Sequence, residues 1–503
     1  MISLKSDLVR NLIAAVILYA TVFIYQGYQY GQNDQSQILP VLYAQDHPGE
    51  YSTDQYVNAY LNSGVNERTI FHFLLRYMGY ENPWAVFFWH LLSAMGLILA
   101  WIHIAGLFIK NKIIRWLCIA CLLIIGFHTS TGSNELYYNE FVPSLPTKVL
   151  ASWALYAWLR NKYFHWIILL IAATYIQPLV GLQLFLGTTL ASGVEYYRSS
   201  PKISFPWKQC LLYVIFILPW IYLLAINNGG HEDPAFFMDV MEFRLSHHFF
   251  GSYFGSIHLI ILLLLGTISM IFYKEKLKWM FMWLLAGCIV YEIGVELLRS
   301  PVILYSQWWK TTIWIEAFAF IAIFATTEKK FSFLNKFEKF GLLLPILFLL
   351  FISTYRLSGI TGAPPLIMEP FAATKSDEVD ISEQAFRLAG ENSVFLTPTE
   401  ITAFRWYSRR GAYVDHKAML HNEAFLKEWY ARIENAYGYN IGLKKSGVTI
   451  SRHVNDLLAE PPDAVIAKWK QAGITHIISR SDDIKNLSLL GKNSSYAIYK
   501  LDP

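Results

Sequence analysis

Long apolar runs separated by short polar segments fill the first two thirds of the chain. A helix needs about 20 mostly apolar residues to cross a bilayer, and shorter apolar helices can be buried by their neighbours. The pattern therefore predicts a multi-pass α-helical membrane protein with about 11 transmembrane helices. The predicted spans are 8–26, 84–109, 113–128, 146–159, 163–176, 178–194, 208–226, 257–273, 279–298, 301–325 and 340–356.

Two polar intervals between these runs are long enough to be functional loops. The first, 26–83, contains the segments DQSQILPVLYAQ, DQYVNAYLN and ERTIFHFLLRYMG. Their apolar residues recur at helical spacing, which predicts short amphipathic helices lying at the membrane surface. The second interval, 227–257, combines basic side chains with a Gly-rich aromatic stretch.

Beyond the last apolar run, strand-like and helix-like patterns alternate. SVFLTP, GAYVDHK, THIISR and SSYAIYKL are strand-like, whereas EAFLKEWYARIENAY and DAVIAKWKQAG are typical of amphipathic helices. Such alternation predicts a small α/β domain with a largely parallel sheet.

Charge sharpens this division into two domains. Charged residues make up 16% of the chain, but about 12% of residues 1–356 and about 23% of residues 357–503, close to the soluble-protein average. We therefore predict a transmembrane domain at 1–356 and a soluble domain at 357–503. Acidic and basic residues balance in 357–503, so no basic surface indicates a nucleic-acid partner.

The distribution of cations predicts the orientation. With the N-terminus in the cytoplasm, the inner segments before residue 357 hold 17 Lys and Arg residues and the outer segments before residue 357 hold six. This bias follows the positive-inside rule and places the C-terminal domain outside the cytoplasm. The acidic residues of the front part crowd on the outer side, which is where chemistry is expected.

Asp34 is the first candidate functional residue, because it follows the first span closely enough to lie near the membrane interface. It could be a catalytic carboxylate or the N-cap of the apolar helical run that follows. Asp54 also precedes a helical run, and there the cap is the favoured interpretation.

Cationic candidates lie in the second loop and beyond it. Arg244, His247 and His248 could form a diphosphate or metal site, or could be polar decoration at the interface. Arg299 and Lys310 accompany Glu296 in or near apolar spans; these charges could bind a lipid phosphate or merely pair two helices.

Three arginines of the tail lie in FRWYSRR, namely Arg405, Arg409 and Arg410. They could contact an anionic ligand, although surface and packing roles are favoured. Residues 357–503 contain no set of Cys and His residues at the spacing of a metal site.

The early Asp in a long outer loop, the short spans and the terminal α/β domain resemble the GT-C superfamily of membrane glycosyltransferases. QNDQSQILPVL…STDQYV, RLSHHFFGS and FRWYSRRGAYVDHK…EWYAR are similar to an uncharacterised bacterial branch of such proteins. The resemblance implies an enzyme of the bacterial cytoplasmic membrane, surrounded by membrane lipids. It would transfer a sugar from a polyprenyl-phosphate or polyprenyl-diphosphate donor to a glycan, lipid or protein acceptor.

The resemblance also implies residue roles. Asp34 would deprotonate the acceptor hydroxyl, with Asp46 and Asp54 as second candidates. Arg244, with His247 or His248, would stabilise the departing lipid phosphate. The acidic pair common in the superfamily is absent here, which leaves open whether a divalent cation (Mg²⁺ or Mn²⁺) takes part.

Two alternatives remain. A transporter or flippase for lipid-linked glycans would show paired internal repeats, and the sequence indicates none. A noncatalytic assembly protein would explain the lone acidic residue at position 34.

Overall fold

The structure is a computed structural model that describes residues 2–132, 134–199, 204–228, 232–328, 330, 376–446 and 449–501. The α-helices in these ranges are Ile2–Gln26 (α1), Gln35–Asp46 (α2), Thr69–Tyr77 (α4) after Gln55–Asn62 (α3), Pro83–Ala105 (α5), Lys112–Thr129 (α6), Ser144–Leu159 (α7), Tyr163–Ile176 (α8), Pro178–Arg198 (α9), Trp207–Asn228 (α10), Pro234–Phe249 (α11), Ser256–Phe272 (α12), Glu275–Glu292 (α13), Pro301–Tyr305 (α14), Thr312–Thr327 (α15), Asp377–Leu388 (α16), Phe404–Ser408 (α17), Glu423–Tyr437 (α18), Ile441–Lys445 (α19), Ile450–Ala459 (α20) and Asp463–Gln471 (α21). The strands are Val394–Leu396 (β1), Gly411–Ala412 (β2), His476–Ser479 (β3), Ser488–Lys492 (β4) and Ala497–Lys500 (β5).

Several helices are membrane-like in length and composition. In the described ranges, five are long and apolar enough to cross a bilayer, and α8 and α12 are apolar but shorter. The five are Asp7–Gln26, Pro83–Ala105, Trp207–Asn227, Glu275–Leu297 and Pro301–Thr327. This is the composition of a membrane-embedded protein.

Helices cover the first ten predicted spans, and the eleventh, 340–356, lies outside the described residues. The sequence pattern predicts one continuous helix for the tenth span, but the structure interrupts this helix. Gln307 adopts a left-handed conformation (φ 42°) between α14 and a 3₁₀ turn at Trp308–Thr311, and this conformation interrupts the helical hydrogen bonds.

The described residues group into two compact units. The membrane unit draws them from Met1–Tyr28, Val86–Leu223 and Ser246–Pro370, and the loop unit from Gln29–Ala85, Leu224–Leu245 and Phe371–Pro503. Most of both long loops thus packs with the C-terminal region. The predicted domain boundary at 356/357 falls in the undescribed segment 331–375 and stays a prediction.

The described residues of the membrane unit are helical wherever they form regular structure. Helix α7 packs on α8 and α9, and α9 packs on α13. The buried indole of Trp158 donates a 2.9 Å hydrogen bond to Ser192 Oγ, which joins α7 to α9. A polar side chain is therefore satisfied inside this apolar bundle.

The described part of the loop unit contains a five-stranded sheet in the order β2-β1-β3-β5-β4. Strands β1 and β2, and β1 and β3, are parallel, whereas β5 pairs antiparallel with both β3 and β4. The sheet is therefore mixed, and the prediction of a largely parallel sheet was wrong at this edge. Strand β4 was missed because its residues are exposed or half-buried and include a glycine beside a bulge.

The three helices predicted in the first loop exist as α2, α3 and α4. Helix α2 is not the amphipathic surface helix that its sequence suggested, because residues on all its sides are buried, including Gln35, Ser36 and Gln37. Within the loop unit it packs against α3, α4 and α17.

Candidate functional site

Asp54 and Arg405 form a buried ion pair inside the loop unit. Asp54 Oδ2 accepts hydrogen bonds from Arg405 Nε at 2.6 Å and from the Ala412 backbone N–H at 2.9 Å. Neither side chain is exposed by more than 3%. The pair joins the first loop to the C-terminal region within this unit.

Asp54 is also the N-cap of α3, since its Oδ1 accepts the Val57 backbone N–H at 2.9 Å. The predicted cap is confirmed. With both oxygens held by three donors and no exposure, this carboxylate has a structural role, and the geometry does not support the predicted catalytic one.

Arg405 also forms an ion pair with a second carboxylate, because its Nη1 donates to Asp415 Oδ2. Burial opposes the charge of Arg405, but Asp54 and Asp415 outweigh it and hold the pKa of the guanidinium above its usual value. Arg410 is equally buried and donates to the backbone carbonyls of Ala389 and Phe386. The favoured packing interpretation of Arg405 and Arg410 is thereby confirmed.

Asp415 shapes the loop that follows it, which we call the junction loop (415–418). Its Oδ1 accepts the backbone N–H of Lys417 at 2.6 Å and of Ala418 at 3.3 Å. This Asx-type turn fixes where the next backbone carbonyls point.

Those carbonyls receive Arg244. Its Nε donates to the His416 carbonyl, and its Nη2 donates to the Lys417 carbonyl at 3.3 Å. In the described part of the chain, no carboxylate lies within ion-pair distance of this half-buried guanidinium. Burial lowers the pKa of Arg244, and the more distant carboxylates Asp415 and Asp34 oppose that shift.

Asp34, which lies directly before helix α2, also contacts the junction loop. Its Oδ1 lies 3.3 Å from Lys417 Nζ, and its side chain is 50% exposed. It occupies the N-cap position of α2 but makes no side-chain cap hydrogen bond. Asp34 and Arg244, distant in sequence, therefore meet at Lys417, and the carboxylate remains open to solvent.

Asp46, the last residue of α2, is bound elsewhere in the loop unit. Its two oxygens accept the Tyr80 hydroxyl at 2.9 Å and the Arg76 guanidinium. This carboxylate is thus a partner of α4 and of the turn after it, whereas Asp34 faces the junction loop.

The other predicted cations belong to the membrane unit. Helix α11 is kinked at Leu245, and beyond the kink the rings of His247 and His248 lie 4.1 Å apart. His248 Nδ1 donates to the Gly132 carbonyl at 3.0 Å. The two adjacent rings are therefore in contact, although consecutive side chains of an ideal helix point about 100° apart.

Arg299 and Lys310 are placed near aromatic and cationic neighbours in the same unit. The Arg299 guanidinium lies 5.7 Å from the centre of the Phe250 ring, and Arg299 has a left-handed backbone (φ 49°). Lys310 lies in the 3₁₀ turn after α14, close enough to Lys148 for the two charges to repel.

A divalent cation finds no ready ligand set. Across the described ranges, no group of three or more His, Cys, Asp or Glu side chains is arranged to hold a metal ion. The described residues therefore offer no ligand set for the divalent cation that the resemblance leaves open.

Sequence reasoning missed two cations that lie near Asp34, namely Lys417 and Arg68. Arg68 Nη1 donates to Gln37 Oε1 at 3.2 Å, and Gln37 lies one helical turn after Asp34. Lys417 is within GAYVDHK, a segment interpreted as a strand, but only Gly411–Ala412 is strand. Asp is a residue that favours turns, so Asp415 was the sequence signal that the strand ends before Lys417.

Comparison with known families matches one short part of the chain. Residues 376–436 match the model of a domain of unknown function, DUF6798. This segment includes Arg405, Asp415 and Lys417, but the description assigns no activity to it. A search of curated proteins found no match.

Proposed function

We propose that this protein is a GT-C-like membrane glycosyltransferase that transfers a sugar from a polyprenyl-phosphate-linked donor to an acceptor on the extracytoplasmic face of the bacterial cytoplasmic membrane. The observation that carries the proposal is the half-exposed Asp34 carboxylate beside Lys417, on the loop that also binds Arg244. A general base beside cations is what transfer from a phosphate leaving group requires.

In the proposed reaction, Asp34 accepts the proton of an acceptor hydroxyl. The hydroxyl oxygen forms a bond to the anomeric carbon of the sugar, and the bond from that carbon to the phosphate oxygen breaks. The electron pair leaves on the lipid phosphate, whose charge Arg244 and Lys417 stabilise. Because the attack occurs opposite the leaving group, the anomeric configuration inverts.

Arg244 suits this role because its charge has no close carboxylate partner in the described residues, while two carbonyls fix its orientation. A guanidinium held in this way offers its remaining N–H groups to a planar pair of phosphate oxygens. The roles that the resemblance implies for His247, His248, Arg299 and Lys310, which belong to the membrane unit, stay predictions.

The direct test uses the full chain reconstituted in proteoliposomes with radiolabelled polyprenyl-phosphate sugars. A glycosyltransferase forms a new glycosidic bond to an added acceptor and releases polyprenyl phosphate. Movement of intact labelled lipid across the bilayer without bond formation would support the flippase alternative. The absence of both activities with every donor and acceptor would support a noncatalytic assembly role.

A further inference from the structure

A small polar cleft lies inside the loop unit, beside the end of α3 and the start of α4. The cleft has a volume of about 30 Å³, enough for one water-sized or hydroxyl-sized group. The residues that line it on the first-loop side include Tyr60, Ser63, Asn66, Glu67 and Arg68.

Asn66, which is one of the residues that line this cleft, has an unused hydrogen-bond donor. Its Oδ1 accepts the Tyr60 hydroxyl at 2.8 Å and the Arg68 backbone N–H at 2.9 Å. Its Nδ2 is buried and has no hydrogen-bond partner among the described residues, although Asn66 is only 8% exposed. A buried donor in this state costs free energy unless a ligand or water accepts from it.

Glu67 and Arg68 add an acceptor and a donor side by side. Arg68 Nε lies 4.0 Å from Glu67 Oε1, and the Glu67 side chain is 46% exposed. A sugar hydroxyl donates one hydrogen bond and accepts others, so it matches a carboxylate, a guanidinium and an amide N–H that converge on one place. A phosphate is an anion, and the Glu67 carboxylate would repel it.

The opposite side of the cleft is partly apolar. Met419 and Leu420 line it together with polar groups from Asn422 and its neighbours, and Val65 adds an apolar group on the first-loop side. A sugar ring has C–H faces as well as hydroxyl groups, so a mixed lining of this kind suits a sugar better than a simple ion.

Arg68 links this cleft to Asp34. Its Nη1 donates to Gln37 on the first turns of α2, and Arg68 lies within electrostatic range of the Asp34 carboxylate. A molecule held in the cleft would therefore lie beside the helix that begins at the proposed base.

We propose that this cleft binds a hydroxyl group of the acceptor, and that the acceptor is a glycan. The identification of the bound molecule as the acceptor rests on the proposed function. The binding of a hydroxyl group in the cleft does not depend on any reaction.

The test is ligand binding by the full chain in detergent, measured by saturation-transfer NMR and calorimetry. The probes are the methyl glycosides of glucose, galactose and mannose, together with inorganic phosphate. We expect at least one glycoside to bind saturably, and Asn66→Asp to weaken it by about tenfold, because this change removes the donor but keeps both accepted hydrogen bonds. Asn62→Asp makes the same chemical change on the exposed face of α3 and should leave affinity unchanged.

Glu67→Gln provides a second variant on an exposed side chain and should also weaken glycoside binding. Phosphate binding in preference to every glycoside, absence of glycoside binding, or equal affinity in the Asn66→Asp and wild-type proteins would each overturn the inference. Binding measured in the Asp34→Asn variant separates this inference from the proposed function. Glycoside binding with transfer retained in Asp34→Asn refutes the proposed base alone, whereas lost transfer without glycoside binding refutes the cleft alone.

Discussion

Asp54 Oδ2 and Arg405 Nε are 2.6 Å apart, although 351 residues separate the two in the chain. Neither side chain is exposed by more than 3%. This contact fixes the first loop to the C-terminal region within the loop unit, and the exposed Asp34 carboxylate belongs to the same unit.

Removing one partner of the buried pair should destabilise the loop unit strongly. Asp54→Ala leaves the Arg405 charge with only Asp415 and also removes the cap of α3, so we expect a loss of about 3–5 kcal/mol. Thermal unfolding and limited proteolysis of the purified chain measure this change.

The control for that variant is Asp46→Ala, which removes a carboxylate from the partly exposed pair with Arg76. A more exposed pair contributes only about 0–1 kcal/mol. Equal losses in the two variants would contradict the structural role of Asp54. The double variant Asp54→Ala/Arg405→Met should recover part of the lost stability, because it leaves no uncompensated cation.

Lys417 should matter little for stability. The Asp34–Lys417 pair has side chains that are 50% and 23% exposed, so Lys417→Met should cost less than about 1 kcal/mol. On the proposed function it should nevertheless reduce sugar transfer by tenfold or more, since the cation next to the Asp34 base is lost while the backbone carbonyl that binds Arg244 is kept. A large fall in unfolding temperature would show that Lys417 is a packing residue instead.

Gly31 permits a close approach to Trp406 inside the loop unit. A Cβ built there would lie 2.4 Å from Trp406 Cδ1, and the backbone φ is +72°. Gly31→Ala should therefore destabilise by about 2–4 kcal/mol, from backbone strain and overpacking combined.

Gly49→Ala is the matched control, because its φ is +104° but no atom lies within 4 Å of the added methyl group. It should show the strain alone, about 1 kcal/mol. Comparing unfolding temperatures of the two variants isolates the contact with Trp406, and a Gly49→Ala loss as large as that of Gly31→Ala would refute it.

His72 should make stability depend on pH. The imidazole is buried against the Tyr60 ring, and burial, with a smaller contribution from Arg68, lowers its pKa to about 3. The unfolded chain binds a proton near pH 6.5 but the folded chain does not, so stability contributed by neutral His72 is full above pH 6.5 and is lost as the pH falls towards 3.

The test compares the unfolding free energy of wild-type and His72→Phe proteins from pH 7 to pH 4. The phenyl ring keeps the stack and cannot be protonated, so the variant should lose less stability on acidification, by up to about 1.4 kcal/mol per pH unit. His47→Phe removes an exposed imidazole and serves as the control. Parallel curves for the His72→Phe variant and the wild type would refute the buried, neutral state of His72.

Local patterns predicted the elements better than their surroundings. The helix Glu423–Tyr437 was predicted with both ends in place, because its apolar spacing and the following Gly438 are local signals. Likewise, the position of Asp54 before a helical run predicted its cap. Its pairing with Arg405 depends on tertiary packing, which no local pattern encodes.

Burial also overrode pattern in two places. Gln35 and Gln37 are polar, so the sequence pattern predicted a surface helix. Both are buried, because α2 is enclosed by other elements of the loop unit. Asp34 was identified from its distance to the first span, whereas Lys417 became visible only when the turn at Asp415 brought it to that carboxylate. Candidate carboxylates can be found in sequence, but their cationic partners depend on the fold.

The most direct measurement of the central claim is sugar transfer by the Asp34→Asn variant from a polyprenyl-phosphate donor, compared with wild type and Asp46→Asn. The amide keeps the size of the side chain but cannot take a proton, so transfer should fall by at least about 100-fold with unchanged unfolding temperature. Asp46→Asn should retain transfer, because Asp46 contacts Tyr80 and Arg76 instead of the junction loop. Transfer by Asp34→Asn at the wild-type rate would contradict the account.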